Sequence, residues 1–234
     1  MSWIREIKDH RRMVHSQEGQ DGVIEYIFKN IGTTNKFCIE FGFNSYRLSK
    51  GSNVARLVRE DKWKQLLFDN FYENHKINLY KESITPENVC GLFDKYNAKV
   101  NPDYISIDID STDLWVFRAI LQSEKYRPRL VSVEYNSNFD INTNMTVKPR
   151  TMWEHRDQVY GASLRAMNMV AEEFGYCLIH AVEPLDLFFI PKELSPEVLP
   201  IEDFAYATGI EIHHKPSEER LKLLMPYVPG DQCV

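Results

Sequence analysis

The sequence predicts one α/β domain built on a largely parallel sheet with helices on both faces. Three observations predict it. Short apolar runs of strand length recur along the chain, segments with apolar residues at helical spacing stand between them, and the last two runs lie too close together for a helical crossover.

In chain order, strands are expected at residues 36–41 (KFCIEF), 65–69 (QLLFD), 76–80, 103–108 (DYISID), 129–134 (RLVSVE), 176–180 and 186–190. Helices are expected at 53–61, 86–97, 114–123 and 163–174. Thr85 offers an N-cap ahead of Pro86 at the first helical position, Ser163 offers another, and Gly175 stops the last helix. Only residues 181–185 separate the final two strands, so these form an antiparallel hairpin at one edge. Two stretches escape the pattern, the polar segment 136–157 and the proline-bearing tail from 192, and long loops of this kind commonly shape sites. No repeat or linker divides the chain. The expected organisation is a single domain over 1–234, with a core at about 16–190, an N-terminal arm at 1–34 and a tail at 192–234.

With 28 Lys+Arg against 34 Asp+Glu, the net charge of −6 excludes a chain-wide basic footprint for nucleic acid or anionic lipid. The four cysteines form no C-x-x-C pair and no apolar run reaches membrane-spanning length. The expectation is a soluble, cytoplasmic protein with a small-molecule substrate and no nucleic-acid or membrane partner, with a homo-oligomer allowed.

An open parallel sheet binds ligands beyond the carboxyl ends of its strands, where strand order reverses. Those ends are acidic here: Glu40-Phe41-Gly42 closes the first strand, Asp69 the second, Asp108 with Asp110 the fourth, and Glu134 with Asn136 the fifth. A carboxylate such as Asp69 can accept both hydroxyls of a ribose, or serve as a solvated turn residue. Asp108 and Asp110 can share a cation or a proton, or cap the helix that follows. Asp110 and Glu134 are the candidate general bases, ahead of His155 and His180, and the His213-His214 pair in the tail is read as solvated.

The ordered set Ser16-Gln17-Glu18-Gly19-Gln20-Asp21-Gly22, Glu40-Phe41-Gly42, Leu67-Phe68-Asp69, Asp108-Ile109-Asp110 and Val133-Glu134-Tyr135-Asn136 resembles the FkbM-type branch of class I S-adenosylmethionine-dependent methyltransferases. The resemblance runs from about Ser16 to Ile190. It implies a Rossmann-like sheet of seven strands, mostly parallel, with an antiparallel C-terminal hairpin. It also implies S-adenosylmethionine as cofactor, with Glu40 and Gly42 in the first cofactor motif, Asp69 on the ribose, Glu82 and Ser83 near the adenine, and Asp108 at the cofactor's edge. Gln20 and Asp21 would belong to an N-terminal lid. Where relatives show Asp-Gly after the first motif, this chain has Asn44-Ser45. A second resemblance, to metal-dependent O-methyltransferases of the catechol type, places Asp108, Asp110, Glu134 and Asn136 around Mg²⁺ or another oxygen-preferring divalent cation. Trp153 and Tyr160 fall where such folds build the substrate wall.

The reaction implied is methyl transfer to an oxygen of a small hydroxylated or carboxylated metabolite, such as a sugar or natural product. Two other functions fit the same residues. One is a cofactor-binding module without turnover; the other is a metal-dependent hydrolase or phosphoryl-transfer enzyme, which lacks a phosphate-cradling glycine loop here.

Overall fold

Successive side chains along the strands point to opposite faces of one sheet, the central strands are buried on both faces, and helices cover both. The computed structural model describes residues 2–48, 51–152 and 156–230. In chain order the elements are α1 (Gln20–Ile31), β1 (Phe37–Glu40), α2 (Ala55–Arg59), β2 (Lys64–Asp69), β3 (Leu79–Lys81), α3 (Val89–Lys95), β4 (Tyr104–Ile107), α4 (Asp113–Gln122), β5 (Leu130–Glu134), β6 (Thr146–Val147), α5 (Leu164–Glu173), β7 (Tyr176–Val182), β8 (Asp186–Pro191), α6 (Glu218–Leu221) and β9 (Leu224–Met225). Short 3-10 segments precede α1, at Trp3–His10, and follow β8.

The sheet has seven strands in the order β3-β2-β1-β4-β5-β8-β7. Every pairing is parallel except β5 with β8 and β7 with β8, so β8 alone is reversed and starts at the edge where the other strands end. Strand order turns back at β1 and β4, which lie side by side.

Along β1, Ile39 joins the core beneath α3, α4 and α5, while Cys38 joins the core beneath α1, α2 and the first 3-10 segment. The same alternation puts Glu40, Ser106, Ser132, Glu134 and Asp186 on the α1 side.

Several expected boundaries move. Residues expected as an arm form α1, because Val23, Ile24, Ile27 and Phe28 make one apolar stripe that is fully packed. The third strand starts at Leu79 instead of 76, since the Asn74 side chain accepts from the Lys76 N–H and holds a 3-10 turn over His75–Ile77. α3 starts at Val89 instead of 86, because the Thr85 carbonyl takes the N–H groups of Asn88 and Val89 in a turn. The tail is folded: Phe204 and Ala207 are buried, and β9 pairs with β6 in a two-stranded sheet. Among the described residues no helix is long and apolar enough to cross a membrane.

The first turn of α1 is locked from its own side chain. Asp21 Oδ2 accepts the N–H groups of Val14, His15 and Ser16 at 2.8, 2.6 and 2.8 Å, and Ser16 Oγ accepts the Asp21 N–H at 2.7 Å. The expected lid residue Asp21 is therefore an anchor for the preceding loop. Asp21→Ala should destabilise the protein by on the order of 2 kcal/mol in urea unfolding, because three N–H groups lose a charged acceptor. A loss below about 0.5 kcal/mol would show that water replaces it freely.

Candidate functional site

The reversal at β1 and β4 is where an open parallel sheet leaves a crevice, and Gly42 stands there just past β1. Its φ is +65°, and a β-carbon built there would stand 1.8 Å from the Asp108 carbonyl oxygen. Glycine is required for that approach. Just below it Glu40, 5% exposed, accepts Ser52 Oγ–H and the Asn53 N–H, both at 2.6 Å. Burial still pushes its carboxyl up to about 7.

Asp69 ends β2 with both oxygens engaged by backbone: the Asn44 N–H at 2.6 Å, Phe71 N–H at 2.7 Å and Tyr72 N–H at 2.9 Å. Asn44 itself is left-handed, φ +46°. Glu82 accepts Lys95 Nζ and the Tyr96 hydroxyl at 2.6 Å each, and the Ser83 carbonyl accepts Asn88 Nδ2 at 2.8 Å. These side chains lie on the β2–β3 end of the edge, apart from the acids of β4 and β5.

Asp108, Asp110 and Glu134 come together. One carboxylate oxygen from each lies within 4.8 Å of the others. Desolvation first, then neighbouring Asp186, raises Asp108 well above the carboxylate range; desolvation and then Asp108 do the same to Glu134. Asp110, the exposed member, is raised by desolvation while His213 pulls it down. Three carboxylates this close cannot all ionise without a cation, so the set holds protons or a metal. Its shape comes from Asp113, which stands just ahead of the helix expected at 114–123 and was not singled out from the sequence. Asp113 accepts the N–H groups of Ile109 and Ser111 at 2.8 and 2.9 Å, which holds Asp110 left-handed at φ +60°.

Asn136 is a brace. Its Nδ2 donates to the Gln158 and Tyr160 carbonyls at 2.9 Å each, and its Oδ1 accepts from Asn138 N and Nδ2. Gly161 N–H donates to the Ser111 carbonyl at 2.9 Å, tying this wall to the acidic loop. Tyr160, 3% exposed, is raised in pKa by burial and then by Glu134, so it borders the cluster. Trp153 and His155 lie outside the described residues. His180 sits in β7 beside Phe188, 4% exposed, and burial holds it down to about 3. It is neutral at physiological pH.

Of the tail pair read as solvated, His214 is exposed and His213 is not. The tail returns through Gly209 N–H to the Phe139 carbonyl and Ile210 N–H to the Ser137 carbonyl, and the half-buried His213 ring packs 5.1 Å from Tyr160. Asp186 was also missed as a site residue. It pairs with Glu134 across β5 and β8, is 4% exposed, accepts Asn53 Nδ2 at 2.9 Å, and is pushed up to about 6 by burial. One surface groove, about 630 Å³ between residues 148–152 and 217–223, contains none of these acids.

No family model and no curated protein matches the chain.

Buried acids with raised pKa stabilise the fold only while protonated. Their contribution is complete below the ordinary values of 3.8 and 4.5 and is lost as pH rises through about 6 for Asp186 and about 7 for Glu40. Thermal melting of the ligand-free protein should therefore fall between about pH 5 and pH 8. Glu40→Gln should flatten that slope, and a melting temperature that rises across the window in wild type contradicts these environments.

Proposed function

We propose that the protein is an S-adenosylmethionine-dependent methyltransferase of the FkbM-like kind, acting on a hydroxyl oxygen of a small hydroxylated or carboxylated metabolite. The observation that supports this reading is the strand order, which reverses at β1 and β4 and carries one antiparallel strand, β8, beside β5. The motif residues Glu40, Gly42, Asp69 and Asp108 close the strands around that reversal.

The crevice suits the group. Gly42 leaves bare backbone at its floor, and Gln20 Oε1, Asn53 Oδ1 and Glu134 Oε2 are buried acceptors without partners. Asp69 has three of its roughly four acceptor positions filled, leaving one for a ribose hydroxyl. When bound, the cofactor would supply an electrophilic methyl group on sulfonium. Without a metal, Asp110, the most exposed acid of the set, takes the acceptor's hydroxyl proton, its proton affinity raised by desolvation. The all-oxygen set Asp108, Asp110 and Glu134 suits Mg²⁺, Ca²⁺ or Mn²⁺, which would neutralise the cluster and hold the acceptor oxygen. Tyr160 and the Asn136 brace exclude water from one side.

Calorimetric titration with S-adenosylhomocysteine, paired with a methyl-transfer screen over hydroxylated metabolites, tests the proposal. Asp110→Asn should lower turnover by about 100-fold or more while leaving product affinity within about twofold. Binding without turnover would favour a module that has lost transfer activity, and no binding would end the methyltransferase reading.

A further inference from the structure

The groove between residues 148–152 and 217–223, about 630 Å³, takes no part in the chemistry above. Its lining sets three cations, Lys148, Arg150 and Arg220, against one acid, Glu219, in a chain whose net charge is −6. Met152 and Leu223 add apolar surface, and Met152 is 70% exposed.

The turn that forms one wall is built against backbone preference. It closes through the Thr151 N–H to the Lys148 carbonyl at 3.1 Å, with Pro149 in second place and Arg150 third, at φ +66°. Proline second and a positive φ third make a type II turn, whose third position favours glycine or asparagine. Arginine is strained there. Its one ion pair among the described residues, Nε to Glu87 at 3.2 Å, joins side chains that are 71% and 47% exposed. A pair so open to water stabilises the fold little. Arg150 is therefore held in a costly backbone state that the fold itself does not need.

The groove is also preorganised. The Lys148 N–H donates to the Leu223 carbonyl at 2.8 Å, which ties the two walls together. Arg220 is fixed by Asp157, with Nε 2.9 Å from Oδ2, and by the Val159 carbonyl, 3.3 Å from Nη2. The acids that hold the two arginines, Glu87 and Asp157, stand outside the lining. Lys148 Nζ and both Nη groups of Arg150 have no partner among the described residues. A lysine ammonium and a guanidinium fork on one tight turn present charged donors that match the oxygens of a phosphate or carboxylate.

We propose that this groove binds a small amphiphilic anion, its phosphate or carboxylate group on Lys148 and Arg150 and its apolar body on Met152 and Leu223. The site is separate from the acidic edge and does not depend on methyl transfer there.

Calorimetry on the full chain with phenyl phosphate, phenylacetate and benzyl alcohol tests the assignment. One of the two anions should bind wild type with a dissociation constant of about 1 mM or tighter, the tighter of them naming the charged group, and benzyl alcohol should bind at least about tenfold more weakly. Raising sodium chloride from about 20 to about 200 mM should weaken the anion. Arg150→Gly should lower its affinity by about tenfold while the protein stays folded, because glycine suits the left-handed position. Arg150→Asn, which tolerates the same backbone, should match it, and Lys148→Met should lower affinity by about threefold or more. The inference is overturned if wild type binds neither anion, if benzyl alcohol binds as tightly, or if anion affinity survives the changes at both Arg150 and Lys148. None of these readouts requires the crevice to bind S-adenosylhomocysteine, so failure here and failure of the methyltransferase reading are told apart.

Discussion

The backbone of Gly42 lies against the Asp108 carbonyl so closely that no other residue fits, and the geometry of the site follows from that contact. It forces the loops leaving β1 and β4 together at the point where strand order reverses. Because strands in a parallel stack end on one edge, the contact gathers Glu40 and Asp108, and β5 adds Glu134. Desolvation there raises all three carboxyls. A fold that stacks acids this way is unfavourable alone and becomes favourable when a cation or a donor-rich ligand arrives. Ionisation and stability thus oppose each other at this edge.

The molecule contains that opposition with a neutral polar chain through the α1 face. Tyr104 OH and Ser132 Oγ are 2.8 Å apart, Ser132 Oγ donates to Ser106 Oγ at 3.1 Å, and Asn53 links Ser106 to Asp186. Hydroxyls and one amide pass hydrogen bonds from the apolar core to the carboxylates, so polarity rises gradually toward the crevice. At the foot of the sheet another buried acid, Asp103, is fully satisfied by backbone N–H groups of Thr34, Asn35 and Lys36. The contrast between the two ends is informative. Asp103 meets backbone donors, whereas Asp108, Asp110 and Glu134 at the carboxyl edge meet mainly one another.

Much of this was legible in the sequence, because strand-length apolar runs ending in acids need only local spacing to be recognised. Asp108, Asp110 and Glu134 were found that way. What escaped depended on direction or on distant contacts. Asp186 begins its strand instead of ending it, yet β8 is reversed, so its first residue reaches the edge where the parallel strands finish. His213 lies in a proline-bearing tail whose return is set by bonds to Ser137 and Phe139, some seventy residues earlier, and no local pattern announces them. α1 was missed inside the expected arm, although Val23, Ile24, Ile27 and Phe28 form an apolar stripe, and its motif residues drew attention to ligand contact when Asp21 is spent on its own loop.

The proposed function requires that the crevice at β1 and β4 take an adenosyl ligand with the acidic edge beside it. Its most direct measurement is a crystal structure of the full chain grown with S-adenosylhomocysteine and Mn²⁺. The nucleoside should lie over Gly42 with its ribose toward Asp69, and anomalous density should appear among Asp108, Asp110 and Glu134. A nucleoside bound away from this edge, or a crevice left empty at saturating ligand, would contradict it.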